Sequence, residues 1–242
     1  MTRGQMTLYV VPASHPCAAV ELALRRKSLA YRRVDLIPLW HVVHQRAVFG
    51  RRTVPGLKLA DGGRVSGSRA IMRVLESLEP EPPLLPADAA RRAKVEAAEA
   101  WADEVLQPLV RRVLWAAAQR HPEALESYSE GADLPIPASL ASLSSPIVVR
   151  LARLLNRSTD AAVRADLGAL DDHLDRADGY VREGVIGDEP PNVADLQIAP
   201  SLRLLMTLDD LRPKIAARPS GELALRLFPE YPGRIVSGSV PS

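Results

Sequence analysis

Cysteine and aromatic residues are scarce in this chain, and no long apolar run is present. Cys17 is the single cysteine, so an intramolecular disulfide is excluded and a cysteine-based metal site lacks a second ligand. That usage fits a reducing compartment, and a cytoplasmic location is the expectation. Aromatics make up only 4% of the 242 residues, so the core has to be built from Leu, Val and Ala, which a hydrophobic content of 47% supplies. No apolar stretch approaches the ~20 residues that a membrane-spanning helix needs, and Met1 to Met6 holds no secretory-type apolar run. An excess of one charge is missing too, with 31 Lys and Arg against 29 Asp and Glu. The densest basic cluster, Arg25-Arg26-Lys27 and Arg32-Arg33 around Tyr31, reads as a solvated helix end before an edge strand, which speaks against nucleic acid as a partner.

What is there is organised around Tyr9-Val10-Val11-Pro12-Ala13-Ser14-His15-Pro16-Cys17. A β-branched strand (7–11) ends in a turn, and an Ala/Leu-rich helix (16–27) comes at once after it, with Pro16 suited to a first helical turn. Ser14 stands at the helix N-terminus, where free N–H groups and the helix dipole favour negative charge. Its hydroxyl either caps the helix or donates to an anion such as a thiolate. Cys17, one turn into the helix, reads as buried packing in preference to a redox nucleophile.

Tyr31 to Leu36 reads as a second strand, and 38–50 as irregular or a short helix containing Trp40, His41 and His44. The turn signal Asp61-Gly62-Gly63 predicts antiparallel pairing of 57–60 with 64–65. A helix opens at Ser66-Gly67-Ser68 and carries Ile71, Val74, Leu75 and Leu78 on one face. Pro80, Pro82, Pro83 and Pro86 then mark a linker, dividing the chain into 1–79, the linker 80–87, and 88–242.

After the linker the pattern is helical. Asp88 is expected to cap a long helix with the stripe Val95, Ala98, Ala102, Val105, Leu109 and Val113, kinked by Pro108. Residues 129–146 are expected to be a loop whose Leu134, Ile136, Leu140 and Leu143 cover a pocket or lie on the core. One helix is expected over 158–181. Asn192 and Asp195 form a capping-box relative before a helix that is apolar nearly all round, a central position in a domain. Two short helices (211–217 and 220–227) and an irregular tail from Pro229 complete the chain.

In this order and spacing, Ser14-His15-Pro16-Cys17-Ala18-Ala19-Val20, Val54-Pro55, Ser68-Arg69-Ala70-Ile71 and Asn192-x-x-Asp195 resemble the cytosolic glutathione S-transferase family, in its bacterial, serine-type, theta- or delta-like form. The resemblance implies a thioredoxin-like β-α-β-α-β-β-α domain followed by an all-helical domain. It implies that Ser14 donates to the sulfur of glutathione as co-substrate, no other cofactor being bound covalently. A thiol of pKa ~8.5 is mostly protonated at neutral pH, and the thiolate is the nucleophile. It also implies a cis Pro55, with the Val54 backbone pairing to the peptide backbone of the thiol. His41 would lie near the glycine carboxylate of glutathione, and Ser68 with its helix N-terminus near the γ-glutamyl end. Leu106, Val110 and Leu114 would line the pocket for a hydrophobic electrophile, and two chains would form a homodimer.

Gly67 is a departure, because relatives usually carry Glu or Gln there to hold the γ-glutamyl group. Weaker glutathione binding, or a different low-molecular-weight thiol, is therefore expected. Two functions stay open: a detoxifying transferase, and a non-catalytic binding module on the same fold.

Overall fold

The β-branched run before the first turn becomes the inner strand of a four-stranded sheet. The structure is a computed structural model that describes residues 5–134 and 138–240, with backbone alone over 138–143. Strand β1 (Met6–Val10) pairs in parallel with β2 (Tyr31–Asp35), Leu8 facing Arg33 in register. On its other side it pairs antiparallel with β3 (Gly56–Lys58), which in turn pairs with β4 (Arg64–Ser66). The order is β2-β1-β3-β4. Helix α1 (His15–Arg26) makes the crossover from β1 to β2 and buries Cys17, Ala19, Val20, Ala23 and Leu24 against the sheet. Helix α2 (Trp40–Phe49) lies on the opposite face, where the Tyr9 ring meets His44 and Phe49. Helix α3 (Ser68–Leu78) packs beside α1 and buries Ile71, Met72 and Leu75, while Leu78, the end of the predicted stripe, is exposed. This is the thioredoxin-like arrangement that the resemblance implies.

The chain then passes through prolines held by their neighbours. Lys27 at the end of α1 is buried and donates to the carbonyls of Glu79 and Pro82 while pairing with Glu76 at 2.8 Å. Glu76 in turn accepts from the Leu84 N–H at 3.0 Å.

Among the described residues the remainder is helical: α4 (Ala89–Trp101), a π-helical turn (Ala102–Leu106), α5 (Gln107–Arg120), a 3-10 turn (Pro122–Ala124), α6 (Leu125–Tyr128), α7 (Ala138–Leu155), α8 (Asp160–Gly168), α9 (Leu170–Arg182), α10 (Val193–Leu205), α11 (Arg212–Ala216) and α12 (Pro219–Leu227). Every residue of α10 is buried, and it is packed by α1, α4, α5 and α12. Its capping box is complete. The Asn192 side chain accepts the N–H groups of Ala194 and Asp195, and the Asp195 carboxylate accepts the Asn192 N–H at 2.9 Å.

Three expectations are corrected. The Pro108 kink is a π-helical turn: Pro108 has no N–H to offer, and Gln107 instead bonds back to the Ala102 carbonyl. The added residue shifts the helical phase, so Val105 of the predicted stripe is 38% exposed while Leu106 is fully buried. The expected loop 129–146 gives way to α7 from Ala138 on, which carries Pro146 inside it. Apolar burial of Val149 and Ala152 holds this helix despite the missing donor. Ile136 and the side chains of Leu140 and Leu143 lie outside the described residues. The single helix over 158–181 is two, capped anew by Thr159 and broken at Gly168-Ala169.

Candidate active site

A cleft of about 1020 Å³ opens between the β1–α1 turn and the helical region. Val11 to Pro16, His41 and Val54 line one side; Arg111, Leu114, Trp115 and Tyr128 stand on the other.

Ser14 occupies the N-cap of α1 with an extended backbone, and its carbonyl accepts the N–H groups of Cys17 and Ala18, both at 2.9 Å. Its hydroxyl makes no capping bond. Its side chain therefore does not serve as the cap of α1. The preceding Ala13 adopts a left-handed φ of 57°, and Tyr231 from the C-terminal tail donates to its carbonyl at 3.0 Å. The tail thus braces the turn that presents Ser14.

Cys17 is 2% exposed, and burial pushes its thiol up to about 12 against the bond from Ser14, so it stays protonated. It packs, as read from sequence. His15 is equally buried, with neither ring nitrogen partnered. Burial, aided by the nearby Arg111, holds its pKa well below the ordinary histidine value, so the ring is neutral.

The Val54–Pro55 bond is cis. Val54 lines the cleft, and neither its N–H nor its C=O has a partner among the described residues. The Pro55 carbonyl accepts the Gly67 N–H at 2.9 Å, which joins this turn to the start of α3. Gly67 has φ 93°, in the region that favours glycine, with open space where a Cβ would stand. The N–H groups of Ser68, Arg69 and Ala70 have no partner among the described residues, as is usual for the first turn of a helix. Pro55, Gly67 and Ser68 do not line the cleft itself. The Ser68 hydroxyl is buried and accepts from Gln197 Nε2 at 2.9 Å. His41 lines the cleft; its Nδ1 accepts the Leu39 N–H at 3.1 Å, and burial lowers its pKa to about 4.

On the helical side the electrophile-pocket assignment is corrected. Leu114 lines the cleft, but Leu106 and Val110 are fully buried in the core and do not. The π-helical turn sets this phase: Pro108, Arg111, Leu114 and Trp115 face the cleft, while Leu106 and Val110 face inward.

Residues 8–83 match the family model described as the N-terminal domain of glutathione S-transferase. That stretch is thus similar to the N-terminal domain of glutathione S-transferases. The whole fold agrees. A glutathione S-transferase from Rhodospirillum rubrum F11 is 23% identical, with 91% of this chain and 92% of that one covered and a TM-score of 0.58. A beta-etherase from Sphingobium sp. strain SYK-6 is 21% identical over 92% of this chain and 99% of its own, with a TM-score of 0.62. A maleylacetoacetate isomerase from Anaeromyxobacter dehalogenans 2CP-1, holding dicarboxyethyl glutathione and citrate in its active site, is 26% identical over 92% and 91% of the two chains, with a TM-score of 0.52. No protein of curated function matches the chain.

Within this glutathione S-transferase fold, four features escaped sequence reading. They are the neutral buried His15, the brace from Tyr231, the inward turn of Ser68, and a polar relay from Ser68 through Gln197 and Gln107 to Arg111. Gln197 and Gln107 are isolated polar residues on apolar helix faces, the one signal that could have flagged them. Among the described residues no group of three or more His, Cys, Asp or Glu could hold a metal ion, and no helix is long and apolar enough to cross a membrane.

Proposed function

We propose that this protein transfers a low-molecular-weight thiol, glutathione or a relative of it, to an electrophile with an apolar body. Ser14 acts as the donor that favours the thiolate. The observation that carries this reading is the place of Ser14: it stands at the N-terminus of α1 on the cleft wall, its hydroxyl makes no capping bond, and its side-chain bond is to the buried, protonated Cys17 thiol, a weak partner that a bound thiolate can replace. A donor and a helix dipole at one place lower the pKa of a bound thiol. The unpartnered N–H and C=O of Val54 suit the backbone of a peptide thiol, which would add like a short strand. The free N–H groups at Ser68 to Ala70 suit its γ-glutamyl carboxylate, and His41 its far end. Leu114 and Trp115 offer apolar surface to the electrophile.

In this reading residues 1–79 bind the thiol, 80–87 connect, and 88–242 select the electrophile. The protein works as a homodimer in the cytoplasm, in detoxification. The maleylacetoacetate isomerase, which holds a glutathione conjugate, supports a thiol ligand here by analogy.

Calorimetric titration with reduced glutathione near neutral pH, on wild type and Ser14→Ala, tests it. Saturable millimolar or tighter binding is expected, with the ultraviolet thiolate signal of bound glutathione lost in Ser14→Ala. Loss of one charge-assisted hydrogen bond should lower transfer by about 10- to 100-fold. A second reading, a binding module without turnover, draws on Gly67 and on the engagement of the Ser68 hydroxyl by Gln197. Glutathione binding with no transfer, unaffected by Ser14→Ala, would decide for it.

A further inference from the structure

The helical side of the cleft holds a cation that makes no close ion pair among the described residues, Asp103 acting on it only from a distance. Arg111 lines the cleft, and no carboxylate forms an ion pair with it among the described residues. Among the described residues its side chain makes one hydrogen bond, to Gln107 Oε1 at 3.4 Å. A guanidinium has five N–H donors in a planar fork suited to a carboxylate, so most of its donors are unspent. Burial lowers the Arg111 pKa, and a guanidinium in a protein keeps its charge.

The surroundings hold the fork in place. Gln107 Nε2 donates to Gln197 Oε1 at 2.6 Å, and Gln197 Nε2 donates to Ser68 at 2.9 Å. This fixes the Gln107 amide with its oxygen toward Arg111. Gln107 is 3% exposed and Gln197 fully buried, so the relay is rigid. His15 alongside is neutral and adds no charge. The other charged residues on the cleft are Arg157, Glu123, Glu126 and Glu130, all exposed at its mouth. Glu123 faces His121 at 3.2 Å. Charges at the mouth are screened by water, whereas Arg111 is largely withdrawn from it, so the inner field is positive. Asp103 lies farther off and is shared with Arg69.

We propose that Arg111 is an oxyanion subsite, and that the electrophile taken by this cleft carries a carboxylate that docks on its guanidinium. The proposal rests on the thiol-transfer reading and narrows its substrate class to an apolar body with an anionic end. In a substitution on such a molecule, the thiolate sulfur bonds to the carbon that bears the leaving group. That group departs with the bonding pair, and the proton of the thiol passes to solvent.

A matched pair of probes tests it: 4-chloro-3-nitrobenzoate and its methyl ester, each with glutathione, from which chloride is the leaving group. Wild type should prefer the carboxylate by about tenfold or more in kcat/KM. The preference should vanish in Arg111→Met and persist in part in Arg111→Lys, with folding checked by circular dichroism. Binding of the benzoate without thiol, followed by calorimetry, separates the two readings. Arg111-dependent benzoate binding in a protein that transfers no thiol would uphold the subsite and remove the transferase. Transfer with equal use of acid and ester, or a ratio unchanged in Arg111→Met, would overturn the subsite and leave the transferase. Failure of both transfer and benzoate binding would overturn both.

Discussion

Replacing Asn192 by Ala should destabilise the protein by about 2–4 kcal/mol, a sum that comes from two kinds of bond. The side-chain oxygen accepts the Ala194 N–H at 2.9 Å and the Asp195 N–H at 3.3 Å, and losing such a cap costs about 1 kcal/mol. Its amide also donates to the Val185 carbonyl at 2.8 Å in a buried setting. A buried acceptor left without a partner costs a further ~1–3 kcal/mol. The Asn192 backbone N–H keeps its bond to Asp195 in the variant, so that half of the box survives. Asn192→Ser separates the contributions, because a hydroxyl can cap but cannot reach Val185; it should fall between Ala and wild type. The assay is urea unfolding with an unchanged slope, so that the midpoint shift reports stability. A loss below about 1 kcal/mol for Asn192→Ala, or identical losses for Ala and Ser, would refute the reasoning. The effect should also reach the cleft, because α10 carries Gln197, which the box anchors at its N-terminus.

Other outcomes are as specific. Gly221→Ala should destabilise by ~3 kcal/mol or more, because a Cβ there would stand 1.8 Å from the Ile215 carbonyl oxygen; a midpoint unchanged in urea would contradict this packing. Burial pushes the Asp195 carboxyl up to about 7 despite its two backbone donors. A raised folded-state pKa means that the native state binds the proton more tightly. Its contribution is therefore fully present below the unfolded value of 3.8 and is lost as pH rises through about 7. The thermal midpoint of wild type relative to Asp195→Asn should fall over that window, and a rise would show the opposite sign. Gly67→Gln, placed in open space but at φ 93°, should lower stability by about 1–2 kcal/mol yet tighten glutathione binding in calorimetry. Unchanged or weaker affinity would show that the missing side chain is not what limits the site.

Much of the site is local and therefore legible in the sequence. Ser14 before Pro16, the Val54-Pro55 turn and the Asn192–Asp195 box each depend on a few adjacent backbone bonds, and short-range chemistry writes them into residue order. The strands, α1 and α3 are legible for the same reason, since periodic apolar positions meet a nearby surface. The all-apolar run of α10 could come to rest only where every side is covered.

What the sequence by itself could not determine depends on distant partners. The phase of α5 turns on how a helix accommodates Pro108, and one extra residue in a π-helical turn decided that Arg111 and Leu114, not Leu106 and Val110, face the cleft. Helix α7 runs through Pro146 because tertiary packing outweighs a single missing donor. Ser68 turned inward because Gln197, 129 positions away, offered its amide in a buried interface. The sequence alone determined the strands, α1, α3, α10 and the turn that presents Ser14. Only the tertiary structure decided which polar groups lost their partners to burial, because desolvation and pairing belong to the packed whole and not to any local run of residues.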